Sequence, residues 1–201
     1  MSRVQPATVT RLAAIPRTAA QTRIIDAAFD LFAEQGVNGT SLQMIADAIG
    51  VTKAAIYHQF KTKDEIVFAA IEVELAKVEA ALDAAAAEAS PERARELVLA
   101  QVIDLAVQRR TMVSAVQHDP VVIRFLANHE PFRALMDRLS TVLTGGGTSP
   151  DVRVRAAMAS AAIGGAVLHP LVADLDDDTL RAEILDLALQ LLGAVPAAQR
   201  R

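Results

Sequence analysis

The chain has 201 residues, of which 52% are hydrophobic and only 3% are aromatic. A chain of this length can bury a substantial core, and its apolar content comes mainly from alanine and leucine, which favours helix over sheet. The absence of cysteine excludes disulfides, thiolate metal ligands and a cysteine nucleophile. We therefore predict an all-α fold.

The net charge of −4 is unevenly distributed along the chain. Residues 1–63 contain seven Lys and Arg against four Asp and Glu, whereas residues 64–201 contain thirteen against twenty. Attraction to phosphate depends on the local field, so a basic N-terminal part on an acidic body is compatible with nucleic-acid binding.

Three short helices are predicted near the N-terminus. The first runs from about residue 20 and ends at Gly36, which suits a C′ position. The second begins at Thr40, whose hydroxyl and Gln43 match a capping box, and Gly50 ends it. Thr52 caps the third. These helices share a predicted core of Ile45, Ala46, Ile49, Val51, Ile56 and Phe60.

This arrangement predicts a helix-turn-helix over residues 40–60, with residues 53–59 as the recognition helix. Its outer face carries groups suited to DNA, because lysine donates to guanine or phosphate and a tyrosine hydroxyl reaches phosphate. Lys63 could add a phosphate contact at the next helix N-terminus. The alternative is that these residues form an ordinary solvated polar face and do not contact DNA. The candidate DNA contacts are Thr40, Ser41, Gln43, Thr52, Lys53, Ala54, Tyr57, His58, Gln59 and Lys63.

The rest of the chain is predicted to be helical. A long helix begins at Lys63, another follows Ser90-Pro91, and five more are separated by Pro, Gly and Asp breaks, for nine or ten helices in all. The predicted divisions are a flexible arm at 1–19, a DNA-binding domain at 20–63, a larger helical domain at 64–193 and a tail at 194–201. Arg3, Arg11 and Arg17 of the arm could enter a minor groove, although we favour a solvated arm.

The run from Thr22 to Ile71 resembles the N-terminal domain of the tetracycline-repressor (TetR) family. Shared features include the Leu31-Phe32 pair, Gly36, Gly50-Val51, Tyr57 and Lys63. The resemblance covers about a quarter of the chain. Val37 departs from it where an aromatic residue is common, and His58-Gln59 replaces the more usual aromatic-His pair.

The resemblance implies a C-terminal ligand-binding and dimerisation domain, in which the last two long helices of each subunit form a four-helix bundle. Here these would be about residues 151–168, rich in small residues, and 179–192. The alternative is that both helices bury their apolar faces within their own subunit. The predicted dimer contacts are Ala156, Ser160, Ile163, Gly164, Val167, Leu180, Ile184, Leu187 and Leu191.

The same resemblance implies a small-molecule effector among the central helices. The candidate residues are Met112, Val116, His118, Arg124, Phe125, Asn128, His129, Phe132 and Met158. Each of these could equally be an ordinary core or surface residue, because Met and Phe at helical spacing are more often core than pocket. The scarcity of polar groups favours a hydrophobic effector, whose identity the sequence leaves open.

The sequence contains no recognisable catalytic motif, and its four histidines lack metal-site spacing, so we expect neither an enzyme nor a metal or other cofactor. Residues 156–168 are too short to span a bilayer, so we expect a cytoplasmic protein without a membrane partner. We predict a homodimeric repressor that binds a palindromic DNA operator and is released by a small ligand. Two alternatives remain open: action through a protein partner, and activation without an effector.

Overall fold

The computed structural model describes residues 11–193, apart from the side chains of Thr111, Ala115 and Val116. That part of the chain contains ten α-helices and no strand, which confirms the all-α prediction. None of these helices has the length and apolar character needed to cross a membrane. The helices are α1 (Ala19–Gly39), α2 (Leu42–Ile49), α3 (Lys53–Gln59), α4 (Lys63–Ala85), α5 (Pro91–Gln108), α6 (Arg110–His118), α7 (Pro120–Asn128), α8 (Glu130–Thr144), α9 (Pro150–Ala166) and α10 (Asp177–Gly193).

A hydroxyl group caps each of the first four helices. Each of these side chains accepts a hydrogen bond from the backbone N–H three residues further on, which satisfies one of the free donors of the first turn. The four caps are Thr18, Ser41, Thr52 and Thr62. Within α1 the helical backbone breaks at Gly36, whose φ of 74° is readily adopted by glycine, as the sequence predicts.

Helices α1 to α3 and the first turns of α4 enclose one hydrophobic core, and we call this unit the head. Phe32, Ile45 and Ile56 are almost completely buried there, together with Ile66 and Ile71 of α4. The core of the head extends into the rest of the molecule, because α6 and α7 contribute three further apolar residues to it: Met112, Val122 and Leu126. Helix α4 therefore belongs to the head at one end and to the larger helical body at the other.

Two further clusters form the body. One packs α5 against α9 and α10 around Ile103, Ile163 and Leu180. The other joins α4, α5 and α8 around Leu82, Val98 and Leu135. Because α4 lies in the head core with its first turns and in the second of these clusters with its last turns, it connects the head to the body.

The segment before α1 (residues 11–18) packs against α4, so the predicted flexible arm is wrong for these residues. Leu12 is fully buried, and Arg11 pairs with Asp83 and with Glu79 on α4. The hydrogen bond from Arg11, and a second one from Arg138, hold the pKa of Asp83 below its ordinary value. Arg3 and the tail at 194–201 lie outside the described residues.

Candidate nucleic-acid interface

The helix-turn-helix consists of α2, a tight turn and α3, with the recognition helix at the predicted residues. Gly50 ends α2 in the left-handed conformation, with a φ of 69°. Its N–H donates to carbonyl groups of the last turn of α2, which closes that helix abruptly. Thr52 then accepts a hydrogen bond from Ala55 N at 3.2 Å and starts α3. The turn is short because both helix ends are satisfied locally.

Helix α3 separates an inner face from an outer one. Ile56 is completely buried, and Phe60, just after the helix, is 7% exposed. On the other side Lys53, Tyr57 and His58 are exposed, as are the neighbouring candidates Thr52 and Ala54. The Lys53 Nζ atom lies 5.8 Å from the centre of the Tyr57 ring, so the cation and the aromatic ring form one surface.

Thr40 and Lys63 were predicted DNA contacts, and the structure uses both side chains internally. Thr40 is only 2% exposed, and its hydroxyl donates to Gly36 O at 2.9 Å. Lys63 Nζ donates to Val37 O at 2.8 Å and to Thr40 O at 3.2 Å. These groups satisfy carbonyls that the end of α1 leaves free, which local sequence spacing does not reveal. The predicted cap of α2 was also wrong, because Ser41 rather than Thr40 provides it.

Two glutamine candidates also have partners within the chain. Gln43 is exposed, but its amide donates to Asp47 Oδ1 at 2.7 Å, one turn along α2. Gln59 is half-buried and its Oε1 accepts a hydrogen bond from the Thr18 hydroxyl at 3.2 Å. Both side chains therefore already form a hydrogen bond within the chain. Ser41 is exposed at the start of α2, with its oxygen already accepting from Met44 N.

Two basic residues near α3 were not among the predicted contacts. Lys61 is exposed just after the recognition helix, and its Nζ donates to Tyr57 O at 3.1 Å. Arg23 is exposed on α1 and donates to Ile49 O, at the end of α2, at 3.3 Å. Both cations lie beside the helix-turn-helix and suit phosphate contacts. The signal for Lys61 was its position directly after α3, whereas Arg23 required the packing of α1.

Part of the effector candidate set comes together on α7. Arg124, Phe125, Asn128 and His129, with Val121, line a groove of about 360 Å³, which we call the α7 groove. Phe125 forms its apolar wall, stacked on Phe68 with ring centres 3.8 Å apart. The His129 ring also stacks on Phe125, with ring centres 4.8 Å apart.

The remaining effector candidates lie elsewhere. Met112 is buried in the head core and Phe132 packs against it. His118 borders a separate cavity of about 430 Å³ between the end of α1 and the α6–α7 junction. Met158 is 55% exposed on α9, away from the α7 groove. The side chain of Val116 lies outside the described part of the chain.

Most of the predicted dimer contacts are buried within their own chain, which corrects the prediction. Most of them lie in the core between α5, α9 and α10, and the Gln117 side chain covers Gly164. The residues that are buried in this way are Ala156, Ile163, Gly164, Val167, Leu180 and Ile184. Of the others, Ser160 and Leu187 are exposed, and Leu191 is half-buried. The exposed large apolar residues of α9 are instead Val154 and Met158.

The head and its exposed recognition helix define a helix-turn-helix DNA-binding protein. Residues 24–70 match the family model described as bacterial regulatory proteins, tetR family. A curated relative, the HTH-type transcriptional regulator AcrR of Shigella flexneri, is 54% identical over 43 residues. That match covers 21% of this chain and only 20% of the relative's length.

Solved structures extend the similarity beyond the head. A transcriptional regulator of the TetR/AcrR family from Thermobifida fusca YX-ER1 is 27% identical, with a TM-score of 0.64, over 92% of this chain and 100% of that one. FadR of Bacillus subtilis, solved in complex with stearoyl-CoA, shares the fold at 20% identity, with a TM-score of 0.63, over 84% of this chain and 97% of that one. The head of this chain therefore matches the N-terminal domain of the tetR family, and the fold of the described residues is that of solved TetR-family regulators.

Proposed function

We propose that the protein is a cytoplasmic one-component repressor that binds a two-fold symmetric DNA operator as a homodimer and leaves it when a small hydrophobic ligand binds. The observation that carries this proposal is the recognition helix. Helix α3 buries Ile56 in the head and leaves Lys53, Tyr57 and His58 exposed together. A short, well-anchored helix with a basic and aromatic outer face fits the major groove of B-DNA.

Exposed apolar side chains on the last two helices support the dimer. Val154, Met158 and Leu187 are each more than half exposed, and Leu171, between α9 and α10, is 83% exposed. Val154 and Met158 are one helical turn apart and share a face of α9, and exposed apolar patches of this kind are typical of an interface. A second copy of the chain that covered them would relate the two heads by a two-fold axis, and the operator would then be palindromic.

The α7 groove supports an effector that is mainly hydrophobic. Its volume of about 360 Å³ lies in the range of small-molecule sites, and its wall is the Phe125 ring. The stearoyl-CoA bound by FadR, a protein of the same fold, is consistent with a ligand of this character. Arg124 and Asn128 at the rim could orient a polar end group.

The direct test is selection of bound duplexes from a random-sequence DNA pool, followed by titration of the selected site. We expect a palindromic site, and we expect Lys53→Ala or Tyr57→Ala to weaken binding by about 1–3 kcal/mol. Lys53→Ala should also alter the slope of affinity against salt, by about one unit if it contacts phosphate. Lys77→Ala is the matched control, because Lys77 is an exposed cation of α4 that pairs with Glu74. Unchanged affinity in both α3 variants would refute the assignment.

A further inference from the structure

A carboxylate on α4 joins the N-terminal segment to the α7 groove. Arg17 Nη2 donates to Glu72 Oε2 at 2.8 Å, while the other oxygen of Glu72 lies 3.1 Å from His129 Nε2. The three side chains are each only 14–17% exposed. Removing one member of such a set leaves the others poorly solvated, so the contacts constrain one another.

The contact with His129 is the weaker of the two. The buried Nε2 atom is close to the carboxylate but is not aligned for a hydrogen bond. The imidazole ring also stacks on Phe125, which forms the wall of the α7 groove. A molecule in the groove that moves either ring therefore also changes the environment of Glu72.

Arg17 directly precedes Thr18, and Thr18 contacts the recognition helix. Thr18 is the N-cap of α1, and its backbone N–H and hydroxyl complete a capping box with Gln21. The same hydroxyl donates to Gln59, the last residue of α3, at 3.2 Å. Arg17 thus fixes the backbone that holds Thr18, and Thr18 contacts the end of α3.

We propose that Glu72 is a positioning residue for the recognition helix, which links His129 at the α7 groove to Gln59 through Arg17 and Thr18. The link gives the ion pair between Arg17 and Glu72 a role in holding the segment just before the DNA-binding helices. Breaking it at the groove releases the end of α3, which is the way a bound ligand would alter DNA affinity. That last step rests on the proposed function, whereas the link itself does not.

The link is tested by hydrogen–deuterium exchange of the full-length protein without DNA. We expect Glu72→Gln and His129→Ala each to raise exchange in peptides spanning residues 18–22 and 53–59 by about two- to fivefold, the range for loss of a partly exposed ion contact. Exchange in α10 should not change. Arg124→Ala is the groove control, since Arg124 lines the same groove whereas Glu72 pairs with Arg17 and His129. Asp104→Asn is the ion-pair control, since Asp104 pairs with Arg181 in the body.

Three results would overturn the proposal: no change in α3, an equal rise in α10, or the same rise in the Arg124→Ala control. A double-mutant cycle separates a link from two independent effects. If the link operates, the effects of Arg17→Gln and His129→Ala on α3 exchange are not additive, whereas additive effects refute it. Failure to select any DNA site would refute the proposed function and leave these exchange results valid. If a site is selected, an unchanged operator affinity of Glu72→Gln would count against the positioning role alone.

Discussion

The head and the outer pair of helices, α9 and α10, place their apolar residues in opposite ways. In the helix-turn-helix of the head the large aliphatic side chains point inward, and the one exposed large apolar residue is Tyr57, which carries a hydroxyl. On the outer pair Val154, Met158 and Leu187 remain exposed although a core lies directly beneath them.

This difference separates two kinds of surface. The outside of α3 needs a polar partner, because its cation and hydroxyl groups match phosphate and base edges. The outside of α9 and α10 suits an apolar partner, because removing its apolar side chains from water is favourable. The core of the head is formed within one chain. The exposed surface of the outer pair would be covered by the second copy in the proposed dimer.

Truncating the core of the head should have the largest effect on stability. Ile45 is completely buried between α1, α2 and α3, so Ile45→Ala should lower the free energy of unfolding by about 2–5 kcal/mol. Urea unfolding measures this change. Tyr57→Ala is the matched control in the same unit, because Tyr57 is 43% exposed and its loss should change stability by only about 0.5 kcal/mol. Equal losses in the two variants would contradict the division between inner and outer faces.

A charge on the outer pair should separate the two copies. Met158→Glu would place two unpaired carboxylates in the proposed interface, and we expect the dimer dissociation constant to rise by about 100-fold or more. Analytical ultracentrifugation measures it. Ile123→Glu is the control, since Ile123 is similarly exposed, at 45%, but lies on α7. A dimer that tolerates Met158→Glu and dissociates with Ile123→Glu would show that the interface lies elsewhere.

The same two regions show what could be predicted from the sequence. Helix α3 was predicted with its observed bounds because Gly50 and Thr52 are local signals that end one helix and start the next. The prediction that Thr40 caps α2 was wrong, because the neighbouring Ser41 also carries a hydroxyl that can cap a helix. Only the packing of α1 shows that Thr40 is buried.

The faces of α9 could not be predicted in this way. After Arg155 every position of this helix except Ser160 is small or apolar, so the sequence has no clear polar stripe there to mark the outside. Each residue turns the side-chain direction by about 100°. The face of α9 that was predicted to contact the second subunit, with Ile163 and Val167, is the face that is buried within the chain. Likewise, the partners of Arg11 and Arg17 on α4 are 52 or more residues away, where no local pattern can indicate them.

The smallest expected effect is the loss of stability at low pH from the ion pair between Arg11 of the N-terminal segment and Asp83 of α4. Asp83 has a lowered pKa because Arg11, and then Arg138, donate hydrogen bonds to its carboxylate. This contribution to stability is complete above the ordinary carboxyl pKa of 3.8 and is lost as the pH falls through the lower pKa of the folded protein. Asp83→Asn should therefore slightly lower the melting temperature at neutral pH and reduce its fall on acidification. The head should be affected less than the segment, because Arg17 still pairs with Glu72. Thermal unfolding at a series of pH values tests this expectation, and a variant that loses stability with acid as steeply as the parent chain would show that Asp83 is not the group that titrates.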